Sequence, residues 1–580
     1  MKSNGISAYI IPTSDPHQSE YVADHYKARS WISGFTGSAG TVVVTQDDAN
    51  LWTDGRYFIQ AENQLKGSEY KLFKMGVAEV PSYIEWLKAN IESGDTIGYD
   101  ARVFSQITAE ELEKEFIEYG INFNDKYDFV GEIWEDRPEL TKEEAFVHEL
   151  IYTGISSSGK IAKLRANMKS KGADYFLIAS LDDIAWLFNI RGKDVKSNPV
   201  IISYALISSD RAYLFVDMDK INPDVESFLN DNGIQILSYE DVIKYVREIE
   251  SDASVILEKD KINRWIYDAI PEECNIIDEL NYTTILKGKK NHTEIENQKN
   301  AYIKDGVALT KFLYWLDKKI DKIEITELSA AEKLLEFRKE QDLFIEPSFN
   351  TISAYGPNAA MAHYSATKDS FSIIEKKGFY LVDSGGQYLD GTTDITRTVA
   401  VGLITDEEKK DFTLTLKGHI NLINAKFLEG TSGYQLDILC RQPMWEEGLD
   451  FKHGTGHGIG YLLNVHEGPH RIASIPNFVA LEKGMISSIE PGVYKAGKHG
   501  IRIENIAVID DYIETESGKF MKFEVLSYVP IDLDAIDASL LSNNEIKWLN
   551  SYHKDVYEKL SPYLNEDENT WLQEKTRSIQ

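Results

Sequence analysis

Cysteine is almost absent. Cys274 and Cys440 are the only two in 580 residues, which rules out a disulfide framework and a Cys-based zinc site and suits a reducing compartment. Long hydrophobic runs are missing too. No stretch of about 18 apolar residues occurs, and the opening "MKSNGISAYIIPTSDPH" has an apolar run too short for a signal peptide, so no membrane association is expected. Positive charge is scarce, with 62 Lys and Arg against 94 Asp and Glu and a net charge of -32. That balance argues against nucleic acid and anionic membranes as partners, because phosphate contacts need clustered Lys and Arg. Together these absences predict a cytoplasmic protein.

What is present is ordinary for a folded chain: 42% apolar and 27% charged residues. Single cores stop growing at about 250–300 residues, so several domains are expected. A weak internal repeat sets "SAYIIPTSDPH" and "WISGFTGS" against "ADYFLIASLDD" and "WLFNIRGKD". Strand and helix patterns alternate in both halves, which predicts two related α/β domains at 1–150 and 151–290. The boundary between them falls near "YTGISSSGKIAKLRANM", where Ile161, Leu164 and Met168 recur at helical spacing. A further domain, 291–580, is expected to open with a long helix capped by Thr293 with Glu296 three residues on. Its end, "NNEIKWLNSYHKDVYEKL", reads as helix and carries no catalytic signal.

The concentrated chemistry lies in the third segment. "VDSGGQYLDGTTDITRT", residues 382–398, places Asp383 and Asp394 inside strand patterns joined by a Gly-rich hairpin, with Asp390 in the turn. Carboxylates are disfavoured in strands. Taken alone, both could sit on one solvated face; brought together in a buried site they need a proton or a cation between them. "FKHGTGHGIGYLLNVHEGPH", residues 451–470, holds four of the twelve histidines. His453 and His457 are four apart, but the glycines between them argue for a loop and strand rather than a zinc-binding helix. Glu490 ends an apolar segment before Pro-Gly, and "HGIRIENIAVI" alternates so that Arg502 and Glu504 share one face. Asp383, Asp394, His457, Glu490 and Glu504 make a hard, oxygen-rich set whose four negative charges match two divalent cations.

With those residues in place, the sequence resembles the Xaa-Pro aminopeptidases (aminopeptidase P) of the M24 metallopeptidases, in their long, three-domain cytosolic subclass. The order Asp383, Asp394, His457, Glu490, Glu504, with the first two eleven residues apart, carries the resemblance, as do "GFTGSAGTVVVT", "LWTDGRYFIQAE", "DDIAWLFNIRG" and "DGTTDITRT". It implies two related N-terminal domains followed by a pita-bread catalytic domain. The implied activity is removal of an N-terminal residue preceding proline, by a hydroxide bridging two divalent ions, manganese first, with cobalt or zinc as alternatives. Asp383 would bind one ion, Asp394 and Glu504 would bridge, and His457 and Glu490 would complete the second. Glu490 would act as general base, and His363 in "MAHYSAT" and His466 in "NVHEGP" would steady the scissile carbonyl. His453 and Arg502 would lie beside the proline pocket. The resemblance further implies peptide substrates with proline second, and a homodimer. Prolidase, acting on dipeptides, and a non-catalytic pita-bread binding protein are the alternatives.

Overall fold

The apolar stretches of the N-terminal half fold as two six-stranded sheets with the same plan. The first comprises Ala8–Pro12 (β1), Thr41–Val44 (β2), Ala49–Thr53 (β3), Tyr70–Lys74 (β4), Thr96–Gly98 (β5) and Asn122–Asn124 (β6). The second comprises Tyr175–Ile178 (β7), Ser203–Ser208 (β8), Ala212–Val216 (β9), Ile234–Ser238 (β10), Ser254–Leu257 (β11) and Asn275–Asp278 (β12). Their orders are β4-β3-β2-β1-β5-β6 and β10-β9-β8-β7-β11-β12. The pairing sense matches as well: each sheet begins as an antiparallel meander of three strands, and its remaining neighbours are parallel. The internal repeat in the sequence is therefore a repeat of topology. Both faces of the first sheet are covered, because alternate residues of β1 enter different cores: Tyr9 and Ile11 pack with Phe35 and Leu51, Ala8 and Ile10 with Trp52 and Leu112.

The computed structural model describes residues 1–580, and the chain divides into two units, Met1–Thr284 and Ile285–Gln580. Within the first unit, helix α1, Ser157–Lys171, starts where Ser156 accepts the Gly159 N–H, and it buries Ile161, Leu164 and Met168 as their spacing predicts. The second unit opens with helix α2, His292–Lys319. Here the structure corrects the expected cap. Asn291 and Glu294 form the box, while Thr293 and Glu296 lie inside the helix. Both pairs have the right spacing, and the upstream one forms because Asn291 is the residue with extended backbone, φ -74° and ψ 172°.

Behind α2 and helix α3, Glu327–Lys339, lies a three-stranded antiparallel sheet of Ile352–Tyr355 (β13), Phe379–Ser384 (β14) and Ile395–Ala400 (β15), in that order. A six-stranded sheet completes the unit. Its strands are Lys426–Leu428 (β16), Gly456–Gly458 (β17), Glu467–Ile472 (β18), Ile486–Ile489 (β19), Asn505–Thr515 (β22) and Gly518–Val525 (β23), in the order β16-β23-β22-β19-β17-β18. Gly492–Lys495 (β20) and His499–Arg502 (β21) form a separate hairpin. The C-terminal segment reads as helix and is helix: α4, Asn543–Leu560, and α5, Glu566–Lys575, bury Leu549, Val556 and Leu572 in the core that also holds Leu309 and Leu316 of α2. No helix is long and apolar enough to cross a membrane.

Candidate metal centre

Asp383 and Asp394 belong to one antiparallel pair, since β14 lies against β15 with Asp383 opposite Thr396. Asp383 is in its strand as expected; Asp394 sits one residue before β15 begins. Both are buried, at 8% and 4% exposure, which removes the alternative of a solvated sheet face. Asp390 occupies the turn between Gly386–Tyr388 and Gly391–Thr392, yet it too is buried and accepts from Lys304 Nζ at 2.6 Å. An Asp390→Asn variant is expected to lose about 1–2 kcal/mol of stability, between the values for exposed and buried pairs. It should keep its full metal content by elemental analysis.

His457 is the middle residue of β17, between two glycines whose lack of a side chain is required. A Cβ at Gly456 would collide with the Ser488 carbonyl oxygen, and one at Gly458 with that of Glu467. Dense glycine therefore lets β17 lie tightly between its neighbours and present the imidazole. Glu490 directly follows β19, and Ser488 Oγ donates to it at 3.3 Å while accepting the His457 N–H at 3.0 Å. Glu504 joins β21 to β22; its N–H donates to the Thr396 carbonyl, and Thr396 Oγ1 donates to Glu504 Oε2 at 2.9 Å. The segment around it differs from an amphipathic strand, because Ile501, Arg502, Ile503 and Glu504 are all buried.

These elements converge. One ligand-type atom from each of Asp394, His457 and Glu504 lies within 4.8 Å of the others. His457 Nε2 is 3.5 Å from Asp394 Oδ2 and 3.4 Å from Glu490 Oε1. His457 Nδ1–H donates to the Gly458 carbonyl at 2.8 Å, which leaves Nε2 as the nitrogen that faces those two carboxylates. Whenever Nε2 is deprotonated, acceptor faces acceptor, an arrangement that a shared cation resolves. Asp383 Oδ2 accepts from Arg502 Nη2 at 2.5 Å, whereas the buried Asp383 Oδ1 and Glu504 Oε1 have no hydrogen-bond partner. Burial, then repulsion from Asp383 and Glu490, drives the Asp394 carboxyl well above its ordinary range, and burial with repulsion from Asp394 does the same to Glu504. Glu490 is pushed up to about 7 by burial, eased by Arg502 but opposed by Asp383. Orphaned buried oxygens, crowded acids and an imidazole lone pair fit a pair of divalent cations.

Around this core the structure places the other residues singled out in the sequence. The ring of His466 stands perpendicular to that of His457 with 4.4 Å between centroids, and its charge draws the Asp394 and Glu490 carboxyls down. Half-buried His453 donates through Nδ1 to the Gly454 carbonyl and meets Tyr494 Oη at 2.8 Å through Nε2. Arg502 Nη1 donates to the same Tyr494 oxygen at 2.7 Å. Desolvation, with Arg502 next, lowers His453 to about 3, so the imidazole is neutral and accepts the tyrosine proton. His363 lies on the connection from β13 to β14, near enough to His453 to lower it further. In the sequence the only mark of Tyr494 is its place four residues after Glu490. Glu467, next to His466, is also clamped by two buried lysines, Lys287 and Lys290.

Residues 296–511 match the model of metallopeptidase family M24, residues 519–579 the C-terminal region of that family, and residues 1–128 and 136–294 the creatinase/prolidase N-terminal domain. The chain belongs to the M24 metallopeptidases, with two creatinase-type N-terminal domains ahead of a pita-bread catalytic domain. It is 40% identical to aminopeptidase P2 of Arabidopsis thaliana, over 99% of this chain and 86% of that one. It is also similar to the crystal structure of X-prolyl aminopeptidase from Caenorhabditis elegans, a cytosolic enzyme with a dinuclear active site, with a TM-score of 0.95, 37% identity, and coverage of 99% of this chain and 95% of that one. The Xaa-Pro dipeptidase of Bacillus anthracis matches with a TM-score of 0.52 and 26% identity, covering 65% of this chain and 99% of its own.

Proposed function

We propose that this chain is a metal-dependent aminopeptidase that hydrolyses the bond between an N-terminal residue and a following proline. The observation that carries this reading is the set of buried carboxylates around the His457 lone pair, on a chain that aligns along nearly its whole length with an X-prolyl aminopeptidase. Asp383, Asp394, His457, Glu490 and Glu504 would hold two divalent ions, with Asp394 and Glu504 shared between them. Manganese is the proposed native metal, and cobalt or zinc suits the same donors. When bound, such a pair supplies Lewis acidity and an acidified water. The side chains do the rest. Glu490 accepts a proton from the attacking water as general base. His466 and His363 donate to the scissile carbonyl oxygen as it gains charge. His453, Tyr494 and Arg502 form a hydrogen-bonded row that borders the proline ring. An Xaa-Pro bond has no N–H for an enzyme to grip, so a site that works through the carbonyl and the water meets the substrate's chemistry.

We further propose three domains, 1–150, 151–290 and 291–580, and a cytoplasmic homodimer. The C. elegans relative is cytosolic, and the exposed Tyr434, Ile438 and Trp445 on the helix Gly433–Trp445, beside Phe478, offer an apolar contact for a second copy.

The test compares an Xaa-Pro-Yaa tripeptide with an Xaa-Pro dipeptide after chelation and after addition of manganese, cobalt or zinc. Chelation should abolish turnover and lower the thermal midpoint, and metal should restore both, because a ligand that binds only the folded chain stabilises it. The tripeptide should be cut faster. A strong preference for the dipeptide would make the protein a prolidase instead, and metal without effect on either turnover or melting would leave only a binding protein.

A further inference from the structure

The carboxylate of Glu327, the first residue of α3, is fully buried. A buried ionised group is tolerated only when hydrogen bonds replace its water. Its donors all come from one stretch of chain: the Tyr355 N–H at 2.7 Å, Asn358 Nδ2 at 3.0 and 3.2 Å, Tyr364 Oη at 2.8 Å and the Ser372 N–H at 2.7 Å. The Glu327 N–H in turn donates to the Ser372 carbonyl at 3.1 Å. One side chain thus ties the start, the middle and the end of the connection from β13 to β14. That connection carries His363, the immediate neighbour of Tyr364, and then runs through solvent-exposed residues 367–371. Between residues 356 and 371 its backbone bonds are short-range, such as Tyr364 N–H to Met361 O and Thr367 N–H to Ser370 O; long-range ones resume only past Ser372, where the Ile374 N–H donates to the Ile325 carbonyl and the Gly378 N–H to that of Leu403. Every partner of the carboxylate is a donor, and the N-terminal end of α3 favours the same negative charge. A glutamine of equal size would turn its NH₂ against one of those donors.

We propose that Glu327 is a positioning residue for peptide hydrolysis: its carboxylate holds the 355–372 segment in the conformation that presents His363 beside His453. The proposal rests on the reading above in which His363 meets the substrate. Glu327 touches no reacting atom, and it acts through the loop.

The experiment combines Glu327→Gln with His363→Ala in the full-length, manganese-loaded protein, using the tripeptide assay and hydrogen exchange. Glu327→Gln should lower kcat/KM about 10- to 100-fold, the scale of a misplaced contact, with metal content unchanged. In the His363→Ala background the same substitution should cost less than about twofold, because two groups acting through one contact are not additive. Equal losses in both backgrounds would show that Glu327 acts elsewhere and would overturn the proposal. Amides of 355–372 should exchange faster in Glu327→Gln; unchanged protection there would also overturn it. Full activity of His363→Ala alone would remove the substrate role of His363, and the exchange measurement would still report on the tether, so the two failures are told apart. If Glu327→Gln does not fold, Tyr364→Phe removes a single donor and carries the same double-variant test with a loss of about threefold.

Discussion

Replacing Glu490 by glutamine is expected to cut kcat on an Xaa-Pro-Yaa peptide by about 10²–10⁴-fold, the usual contribution of a general base. Glutamine keeps the shape of the side chain and the contact with Ser488 Oγ, so the fold around β19 should survive. What it loses is charge and basicity. Both losses matter at this position, because Glu490 Oε1 lies 3.4 Å from the His457 nitrogen that faces the carboxylates. The two losses can be separated. If Glu490 served only as a ligand, saturating manganese would bring the variant back toward the native rate. If it also takes the proton, the rate stays low at full metal occupancy. Retention of more than about a tenth of native turnover at full metal occupancy would contradict the base role, and the same retention without added metal would contradict both roles.

Much of this architecture is written locally in the chain. The repeated sheets are legible because short continuous apolar runs such as "AYIIP" and "YFLI", bounded by turn residues, announce buried strands, and two copies of one order make the duplication visible. The acids are legible for the opposite reason. Asp383 and Glu504 are placed where strand or core residues belong, and such conflicts between pattern and residue mark sites. Partners that act across space leave no such trace. Tyr494 is an unremarkable strand tyrosine until His453 and Arg502 are seen to meet at its oxygen. Glu327 looks like a helix-starting acid until the loop hydrogen-bonded to it, 28 to 45 residues on, is in view. Asp390 shows the same limit in reverse: its Asp-Gly turn is plain in the sequence, but its burial against Lys304 depends on α2. The cap of α2 is ambiguous locally, since two overlapping pairs satisfy one spacing and only the start of the helix decides between them.

Arg397, which follows Asp394 closely in the chain, serves stability rather than chemistry, and its replacement by methionine is expected to cost about 3 kcal/mol or more. The guanidinium is buried, at 1% exposure. It donates through Nη1 to the carbonyls of Thr396 at 2.9 Å and Glu504 at 2.5 Å, and through Nη2 to Asn505 Oδ1 at 2.7 Å, Val529 O at 2.8 Å and Tyr552 Oη at 2.7 Å. These acceptors belong to β15, to the start of β22, to the chain after β23 and to α4, so one planar fork joins the C-terminal segment to the strands that carry Asp394 and Glu504. Burial lowers its pKa, offset by Tyr552 and Glu504, and the group remains a cation held by neutral acceptors. Methionine fills similar space and withdraws all of these donations; the Thr396 carbonyl, Asn505 Oδ1 and the Val529 carbonyl keep the Glu504 N–H, Ser527 Oγ and Tyr552 Oη as donors, and each oxygen left unsatisfied costs about 1–3 kcal/mol, less whatever water recovers. The transition that melts the second unit should fall by at least about 5 °C. Metal affinity should fall with it, since the Glu504 main chain loses its anchor. Lysine at this position should rescue little, because a point charge cannot replace the fork. A thermal shift below about 2 °C for Arg397→Met would mean that water satisfies the abandoned carbonyls and that the C-terminal helices are held by their apolar contacts alone.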